Sequence, residues 1–264
     1  MAVHGERRLG YGLLAGMVLV WSVLGWVVGT ALPPFLGGPL LIIMGLSGLW
    51  AGEKWIPNPT MHLLGVTWVI ISMKILYGFA LDVHHWGWLD ASPLGADLSL
   101  GIFLLTLIGF NILIAQRHDD DAIAAQATLV LLALGSATGA LYDELGVAGM
   151  ILLGTLSMHG LALHRKSGNL ASLGIAVSYL WIGLHAFSND WTIASIKIVS
   201  FDDDLLLFML MFAVTATNAV MATQFHKADN WFSAAAKALG LGKPGLWAIS
   251  VGLGMIGALL SIAA

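Results

Sequence analysis

Long apolar runs separated by short polar segments are the feature that most limits what this chain can fold into. Each run is close to the ~20 residues that an α-helix needs to cross ~30 Å of hydrocarbon. Nine of them occur, at residues 11–32, 36–52, 61–81, 98–116, 123–142, 146–164, 170–188, 205–223 and 245–263. The sequence is 58% hydrophobic and only 10% charged, which is typical of a polytopic membrane protein. We therefore predict an all-α integral membrane protein with nine transmembrane helices.

The distribution of Lys and Arg predicts the orientation of these helices. When the runs are threaded back and forth, one of the 11 basic residues, Lys197, falls on one side and another, Lys74, falls inside a span. The other nine share the opposite side: Arg7, Arg8, Lys54, Arg117, Arg165, Lys166, Lys227, Lys237 and Lys243. Because cytoplasmic loops are enriched in basic residues, we predict a multi-pass cell-membrane protein with a cytoplasmic N-terminus and an external C-terminus.

The same threading makes the outer segments strongly acidic. The negative charge of the outer face argues against a nucleic-acid partner. The inner face is basic, which suits contact with the anionic lipids of the bilayer. The chain has no Cys, which excludes disulfides, iron–sulfur clusters and covalent c-type haem attachment.

The first run is open to two interpretations. Arg7 and Arg8 precede it and Gly29, Thr30 and Ala31 follow, as in a secretory signal peptide with a cleavage site. The run is longer than the ~7 to 15 apolar residues of such a signal. We therefore predict a retained accessory helix within residues 1–35, which packs through the GxxxG pairs Gly12/Gly16 and Gly25/Gly29.

The remaining eight runs contain an internal similarity that indicates a duplication. The fourth and eighth runs match best, because Asp97 and Asn111 lie 14 residues apart, as do Asp204 and Asn218. Glycines recur in the same order: Gly45 and Gly65 match Gly154 and Gly174 at an offset of 109 residues.

Each predicted copy contains four runs, an even number, so both copies have the same orientation in the membrane. We expect two parallel four-helix repeats, residues 36–144 and 145–264, related by an axis along the membrane normal. The second copy carries an insertion at 227–245, in which Asp229 or Asn230 would cap a short interfacial helix on the cytoplasmic surface.

Lys74 is the strongest functional candidate, because a charge within a span is costly and usually has a partner. It lies eight residues before Asp82, hence ~12 Å of helix below the outer boundary. Three interpretations stay open: its stem carries the ammonium towards the outer surface, it pairs with Asp82, Asp143 or Glu144, or it serves a proton or ion pathway.

Four further residues are predicted to share one polar site between the repeats. Asn111 and Asn218 lie ~21 Å in from their outer Asp residues, and His159 reaches a similar depth with Trp50 as its repeat counterpart. Each Asn alone is better explained as a hydrogen bond between neighbouring helices. Their symmetric recurrence favours a transport or polar site at Lys74, Trp50, Asn111, His159 and Asn218.

A second group of polar residues is predicted at the outer ends of the third, fifth and seventh runs. Imidazoles and carboxylates are ligands for divalent metals, but the spacing matches no recognised metal motif, and a solvated acidic rim is the favoured explanation of the group. Its members are Tyr77, Asp82, His84, His85, Tyr142, Asp143, Glu144, His185 and Asp190.

Three classes of function agree with this architecture. A secondary transporter or permease for a small solute or ion is favoured, because duplicated helical repeats are common in transporters. A redox subunit would hold haem between paired histidines, for which His62 with His159 and His85 with His185 are the candidate pairs. The third class is a structural subunit, in a homo-oligomer or a larger membrane complex. The sequence identifies neither a cofactor nor a catalytic residue.

Overall fold

A computed structural model of the chain describes residues 2–188, 191–193, 196–240, 242 and 245–263, and side chains are described for 16–133, 143–188, 198–240, 242, 245–257 and 259. The chain divides into two compact units, Met1–Ile123 and Ala124–Ala264. The helices are α1 Ala2–Ala31, α2 Pro34–Trp55, α3 His62–His85, α4 Ala96–His118, α5 Asp121–Arg165, α6 Gly168–Ala186, α7 Asp204–Gln224, α8 Trp231–Ala238 and α9 Leu246–Ala263.

Several of these helices are long and apolar, as a multi-pass membrane protein requires. Within the described part of the chain, six segments are long and apolar enough to cross a membrane: α2, α3, α4, the second half of α5 (Asp143–Arg165), α6 and α7. The other three predicted spans contain shorter apolar helices, Gly16–Ala31, Asp121–Ala133 and Leu246–Gly257. A count of nine spans therefore remains a prediction.

In unit 1, glycines allow α2 and α3 to pack with their backbones close together. A Cβ on Gly65 would lie 2.6 Å from the backbone nitrogen of Ile56 and 2.8 Å from the carbonyl oxygen of Gly52. One on Gly45 would lie 2.5 Å from Leu76. Small residues drive helix association in membranes because the helices gain van der Waals contact at short range.

The accessory helix α1 packs against the same pair of helices. Gly25 faces Ile75, and a Cβ on Gly29 would lie 2.8 Å from a carboxylate oxygen of Asp82. Val28 of α1 joins α2 and α3 residues in the buried core of the unit. Gly25 and Gly29 therefore pack against α3, as predicted. A Cβ on Gly16 would meet nothing within 4 Å, so the predicted packing role is not seen there, and Gly12 lies outside the described side chains.

Helix α5 is assigned without a break, yet it folds back on itself. Leu132 and Gly154 are 22 residues apart, which is ~33 Å along a straight helix. Nevertheless a Cβ on Gly154 would lie 2.5 Å from Leu132 Cδ2. Asp143 has a left-handed φ of 51°, a conformation that L-residues rarely adopt inside a helix. The two arms of α5 thus correspond to the predicted runs 123–142 and 146–164.

Unit 2 is built around the second arm of α5, α6 and α7. Buried side chains from all three, including Ile151, Ile182 and Val214, form its main core. Asp203 caps α7, since its side chain accepts hydrogen bonds from the backbone nitrogens of Leu205 and Leu206. This cap fixes the start of α7 one residue from the start of the predicted run.

Unit 2 also contains a short β-hairpin and the short helix α8. Strands β1 (Trp191–Ile193) and β2 (Ile196–Ile198) form an antiparallel hairpin with Trp191 opposite Ile198. This hairpin lies in the loop between α6 and α7, and the rest of the described regular structure is helical, as the predicted all-α class requires. Helix α8 confirms the short helix predicted in the 227–245 insertion, with Asn230 accepting from Ser233 N at 2.8 Å as its cap.

Candidate functional site

A chain of buried hydrogen bonds crosses the helices of unit 2. His159 in the second arm of α5 and Asn218 in α7 are joined by a 2.7 Å contact between Nε2 and Oδ1. Asn218 Nδ2 donates to Ser178 Oγ of α6 at 3.0 Å, and the Ser178 hydroxyl donates to the carbonyl of Ile175 at 3.0 Å. His159, Asn218 and Ser178 are 4%, 0% and 1% exposed. Two of the predicted polar-site residues therefore lie in direct contact.

The direction of these hydrogen bonds assigns the histidine tautomer. Because Asn218 Nδ2 is used as a donor to Ser178, its Oδ1 accepts from His159, and the imidazole proton lies on Nε2. Nδ1 then carries a lone pair, and no hydrogen-bond partner for it occurs among the described atoms. A Cβ on Gly174 would lie 3.1 Å from this nitrogen. The network thus contains a titratable nitrogen next to a glycine.

An apolar groove lies on the other side of α6. Its volume is about 680 Å³ and it is lined by α6, α7, α8 and α9, within the ~300 to 1,000 Å³ typical of small-molecule sites. Tyr179 is the one lining residue with a polar side chain. Its hydroxyl lies 3.2 Å from both Thr215 Oγ1 and the carbonyl oxygen of Ser250. The groove therefore suits an apolar or amphiphilic molecule.

Glycines and small side chains give this groove its shape. A Cβ on Gly183 would meet nothing within 4 Å, whereas one on Gly257 would overlap Met211. Leu180 and Ile256 are 61% and 56% exposed at the rim, but Leu207 and Met211 are buried at its base. The groove is consequently open on one side and closed by α7 on the other.

Asn111 is also buried, and its partner lies in unit 1. Its Nδ2 donates to the hydroxyl of Tyr77 on α3 at 3.2 Å, and both residues are at most 7% exposed. Tyr77 was predicted in the outer polar group, away from Asn111. Side chains of a helix lean towards its N-terminus, and this carries the Tyr77 phenol away from the outer end of α3.

Trp50 and Lys74 lie on the exposed surface of unit 1. Trp50 is 68% exposed, and the ammonium of Lys54 lies 5.2 Å from the centre of its ring. Lys74 is exposed although Met73 and Ile75 beside it are buried. Lys74, Trp50 and Asn111 belong to unit 1, whereas His159 and Asn218 belong to unit 2. The predicted shared site of five residues remains a prediction.

The predicted outer polar group is distributed over both units. In unit 1, His84 Nε2 lies 2.9 Å from Asp97 Oδ1, Asp82 faces Gly29 and His85 is exposed. In unit 2, Glu144 accepts from the backbone nitrogen of Asp203 at 3.0 Å, and Asp143 is exposed.

His185 is buried, and its Nδ1 donates to the carbonyl of Val199 at 2.8 Å. The side chain of Tyr142 and all of Asp190 lie outside the described residues. Among the described residues, no group of three or more His, Cys, Asp or Glu side chains has the arrangement of a metal site.

Three of the four histidines proposed for haem, His62, His159 and His185, have other contacts. His62 Nδ1 donates to the carbonyl of Ile56 at 3.0 Å, and its Nε2 lies 3.5 Å from Asp120. His159 and His185 are held by Asn218 and Val199. Axial ligation would require a free ring nitrogen aimed at the iron, so ligation through any of these bonded nitrogens would compete with its contact.

One polar cluster was not predicted. Glu53 near the end of α2 pairs with Arg117 at 3.1 Å and lies 3.5 Å from His118 Nε2, both on α4. Asp120 also caps the first turn of α5 through the backbone nitrogens of Ala122 and Ile123. Of these residues, Arg117 had a signal in the sequence, as one of the nine basic residues predicted to be cytoplasmic. Exposed pairs of this kind contribute little stability.

Comparison with protein families, curated proteins and solved structures gives no significant match for this chain. Its function is therefore inferred from its own residues.

Proposed function

We propose that this membrane protein is a secondary transporter or permease for a small solute, and that unit 2 carries the transport site. The observation that supports this most directly is the His159–Asn218–Ser178 hydrogen-bond chain. Polar groups inside membrane helices are costly and tend to mark ion or substrate pathways. A structural role would be served by one interhelical hydrogen bond, whereas this chain also holds an ionisable imidazole with an unpaired nitrogen.

The chemistry proposed for His159 is proton uptake. A proton can bind at Nδ1 while Nε2–H stays bonded to Asn218, because the imidazolium carries a proton on each of its two ring nitrogens. The resulting positive charge changes the electrostatics of α5, α6 and α7 together. Such a group couples proton movement to a rearrangement of these helices.

The solute proposed is small and apolar or amphiphilic, and its binding place is the 680 Å³ groove. Helix α6 connects the groove to the polar chain, since Ser178 belongs to the hydrogen-bond chain and its neighbour Tyr179 lines the groove. A change in His159 that moves α6 would therefore alter the groove.

The duplication and the orientation are part of this proposal. In each unit a buried Asn donates a hydrogen bond to a side chain on the second helix of the predicted repeat. Asn111 donates to Tyr77 of α3, and Asn218 donates to Ser178 of α6. Gly65 and Gly174 each lie close to the preceding helix: Gly65 of α3 lies against the end of α2, and Gly174 of α6 lies against the second arm of α5. These parallels support two repeats at 36–144 and 145–264. The distribution of Lys and Arg supports an N-terminus in the cytoplasm.

Reconstitution tests the proposal. The purified chain is placed in liposomes that contain a pH-sensitive dye, and a panel of amphiphilic solutes small enough for the groove is added outside. We expect at least one solute to cause a saturable pH change. His159→Gln should remove the pH change because Gln keeps a donor for Asn218 but does not titrate.

A matched pair of variants tests the groove. Leu180→Trp should block uptake by filling the groove, whereas Leu163→Trp, at a 50% exposed position of α5 outside the groove, should not. If no solute moves and no proton flux is seen with correctly folded protein, the transport proposal is wrong.

A further inference from the structure

Lys74 lies near the middle of a membrane-length helix and points away from the core of unit 1. It is the 13th of the 24 residues of α3, so ~16 to 18 Å of helix separates it from either end. The opposite face of α3 is packed, with Val69, Met73 and Ala80 at 0% exposure. The Lys74 side chain is nevertheless exposed.

The part of α3 around Lys74 offers no carboxylate. Lys74 and the residues at helical spacing from it form one exposed or half-buried stripe on α3. This stripe, which we call the Lys74 face, consists of Thr67, Ile70, Lys74, Gly78, Leu81 and His85. Asp82 is ~12 Å further along the axis and ~80° around the helix, and it faces Gly29. No ion pair of Lys74 occurs among the described residues.

A charge at this depth needs a partner, because an ammonium exposed to hydrocarbon is costly. Water and lipid headgroups are reached only near the ends of the helix. Charge complementarity therefore indicates a carboxylate at the same depth, and no described residue of unit 1 supplies one.

A second copy of the chain supplies that carboxylate poorly. In the described helices the acidic residues lie at or near the ends or at the reversal of α5: Glu6, Glu53, Asp82, Asp97, Asp121, Asp143, Glu144 and Asp204. A second copy with the same orientation in the membrane has every residue at the same depth in the bilayer as the first copy. None of these carboxylates would meet Lys74 across a symmetric interface.

We propose that the Lys74 face binds a membrane-spanning helix of a different protein, and that this helix carries an Asp or Glu near the middle of the bilayer. Gly78, one turn from Lys74, lets the partner approach closely, since a Cβ there would meet nothing within 4 Å. Small residues beside a polar residue are the usual elements of such contacts. The proposal concerns unit 1 and does not depend on transport by unit 2.

A defined peptide tests the charge requirement. The full chain, labelled with a donor dye on a single cysteine introduced at Thr60, is reconstituted in phosphatidylcholine vesicles. A synthetic transmembrane polyleucine helix with one central Glu carries the acceptor dye, and its matched control has Gln. We expect the Glu helix to associate about 5- to 30-fold more strongly than the Gln helix.

Variants separate the proposed contact from nonspecific association of the helices. Lys74→Met should abolish the preference for Glu, Lys74→Arg should keep it, and Gly78→Leu should weaken it. Lys54→Met, at an exposed position near the end of α2, should leave it unchanged. Equal association of the Glu and Gln helices with the wild-type chain, or a preference that survives Lys74→Met, would overturn the proposal.

Native membranes provide a second test. A photo-crosslinking residue at Leu81 of the full chain should join it to a peptide from another protein that has an acidic residue within an apolar segment. Reversing the charges, with Lys74→Glu and a Lys at that acidic position, should restore an association that either change alone removes. Crosslinks only to a second copy of the chain or only to lipid would contradict it.

Discussion

Asn218 accepts a hydrogen bond from His159 at 2.7 Å within the membrane helices of unit 2. Asn218→Ala should therefore lower the free energy of unfolding by about 1 to 3 kcal/mol, because both His159 and Ser178 lose a buried partner. Reversible unfolding of the purified protein in mixed micelles measures this change.

Thr223→Ala is the control for that variant, since the Thr223 hydroxyl is exposed and bonds only to Val220 of its own helix. It should change stability by less than about 0.5 kcal/mol. A double-mutant cycle of His159→Leu and Asn218→Leu should give a coupling above about 0.5 kcal/mol. Additive effects would show that the contact contributes nothing.

Gly65→Ala should destabilise unit 1 by about 1 to 3 kcal/mol, as overpacking does elsewhere. The new methyl group would meet the backbone of Ile56 and Gly52 at 2.6 and 2.8 Å, and backbone atoms cannot rotate away. Gly109→Ala on α4 meets nothing within 4 Å and should be neutral or gain up to ~1 kcal/mol of helix propensity. Equal melting temperatures for the two variants would contradict the close α2–α3 packing.

Cysteines at positions 132 and 154 should form a disulfide on mild oxidation. The chain has no other Cys, and replacing Leu132 removes the side chain that now fills the space beside Gly154. Mass spectrometry of the digested protein identifies the linked peptides. A pair at positions 132 and 163 serves as the control, and efficient linkage there instead would mean that α5 does not reverse near Asp143.

Single cysteines at exposed positions test the orientation in intact cells. Lys166→Cys and Lys227→Cys should be protected from an impermeant thiol reagent, while Asp202→Cys should be labelled, because the basic residues are predicted to be cytoplasmic. Permeabilised cells provide the labelling control. The opposite pattern would invert the topology.

Apolar periodicity and length predicted most of the helices to within a few residues. Burial of a ~20-residue apolar segment in lipid is decided by composition alone, which is why α2, α4, α6 and α7 follow the predicted runs closely. The cap at Asn230 was predictable for a similar reason, since the cap and the backbone that it bonds are three residues apart. The β-hairpin had no such local signal.

The polar partners were harder to predict because they depend on how helices rotate about their axes. His159 and Asn218 were chosen by depth, and the structure joins them. The third member of this hydrogen-bond chain, Ser178, had no signal in the sequence, because a serine in a membrane helix commonly bonds to the backbone of its own helix. Lys74 was correctly placed within a span, but its direction away from the core depends on tertiary packing.

The reversal within α5 also bears on how the protein is made. Its two arms are neighbours in sequence and touch at Leu132 and Gly154, so they can associate before the rest of unit 2 has been synthesised. Contacts between nearby parts of a chain form fastest. Leu132 and Met158 together contact Val177 of α6, and the pair of arms thus provides the surface onto which the next helix packs as it leaves the ribosome.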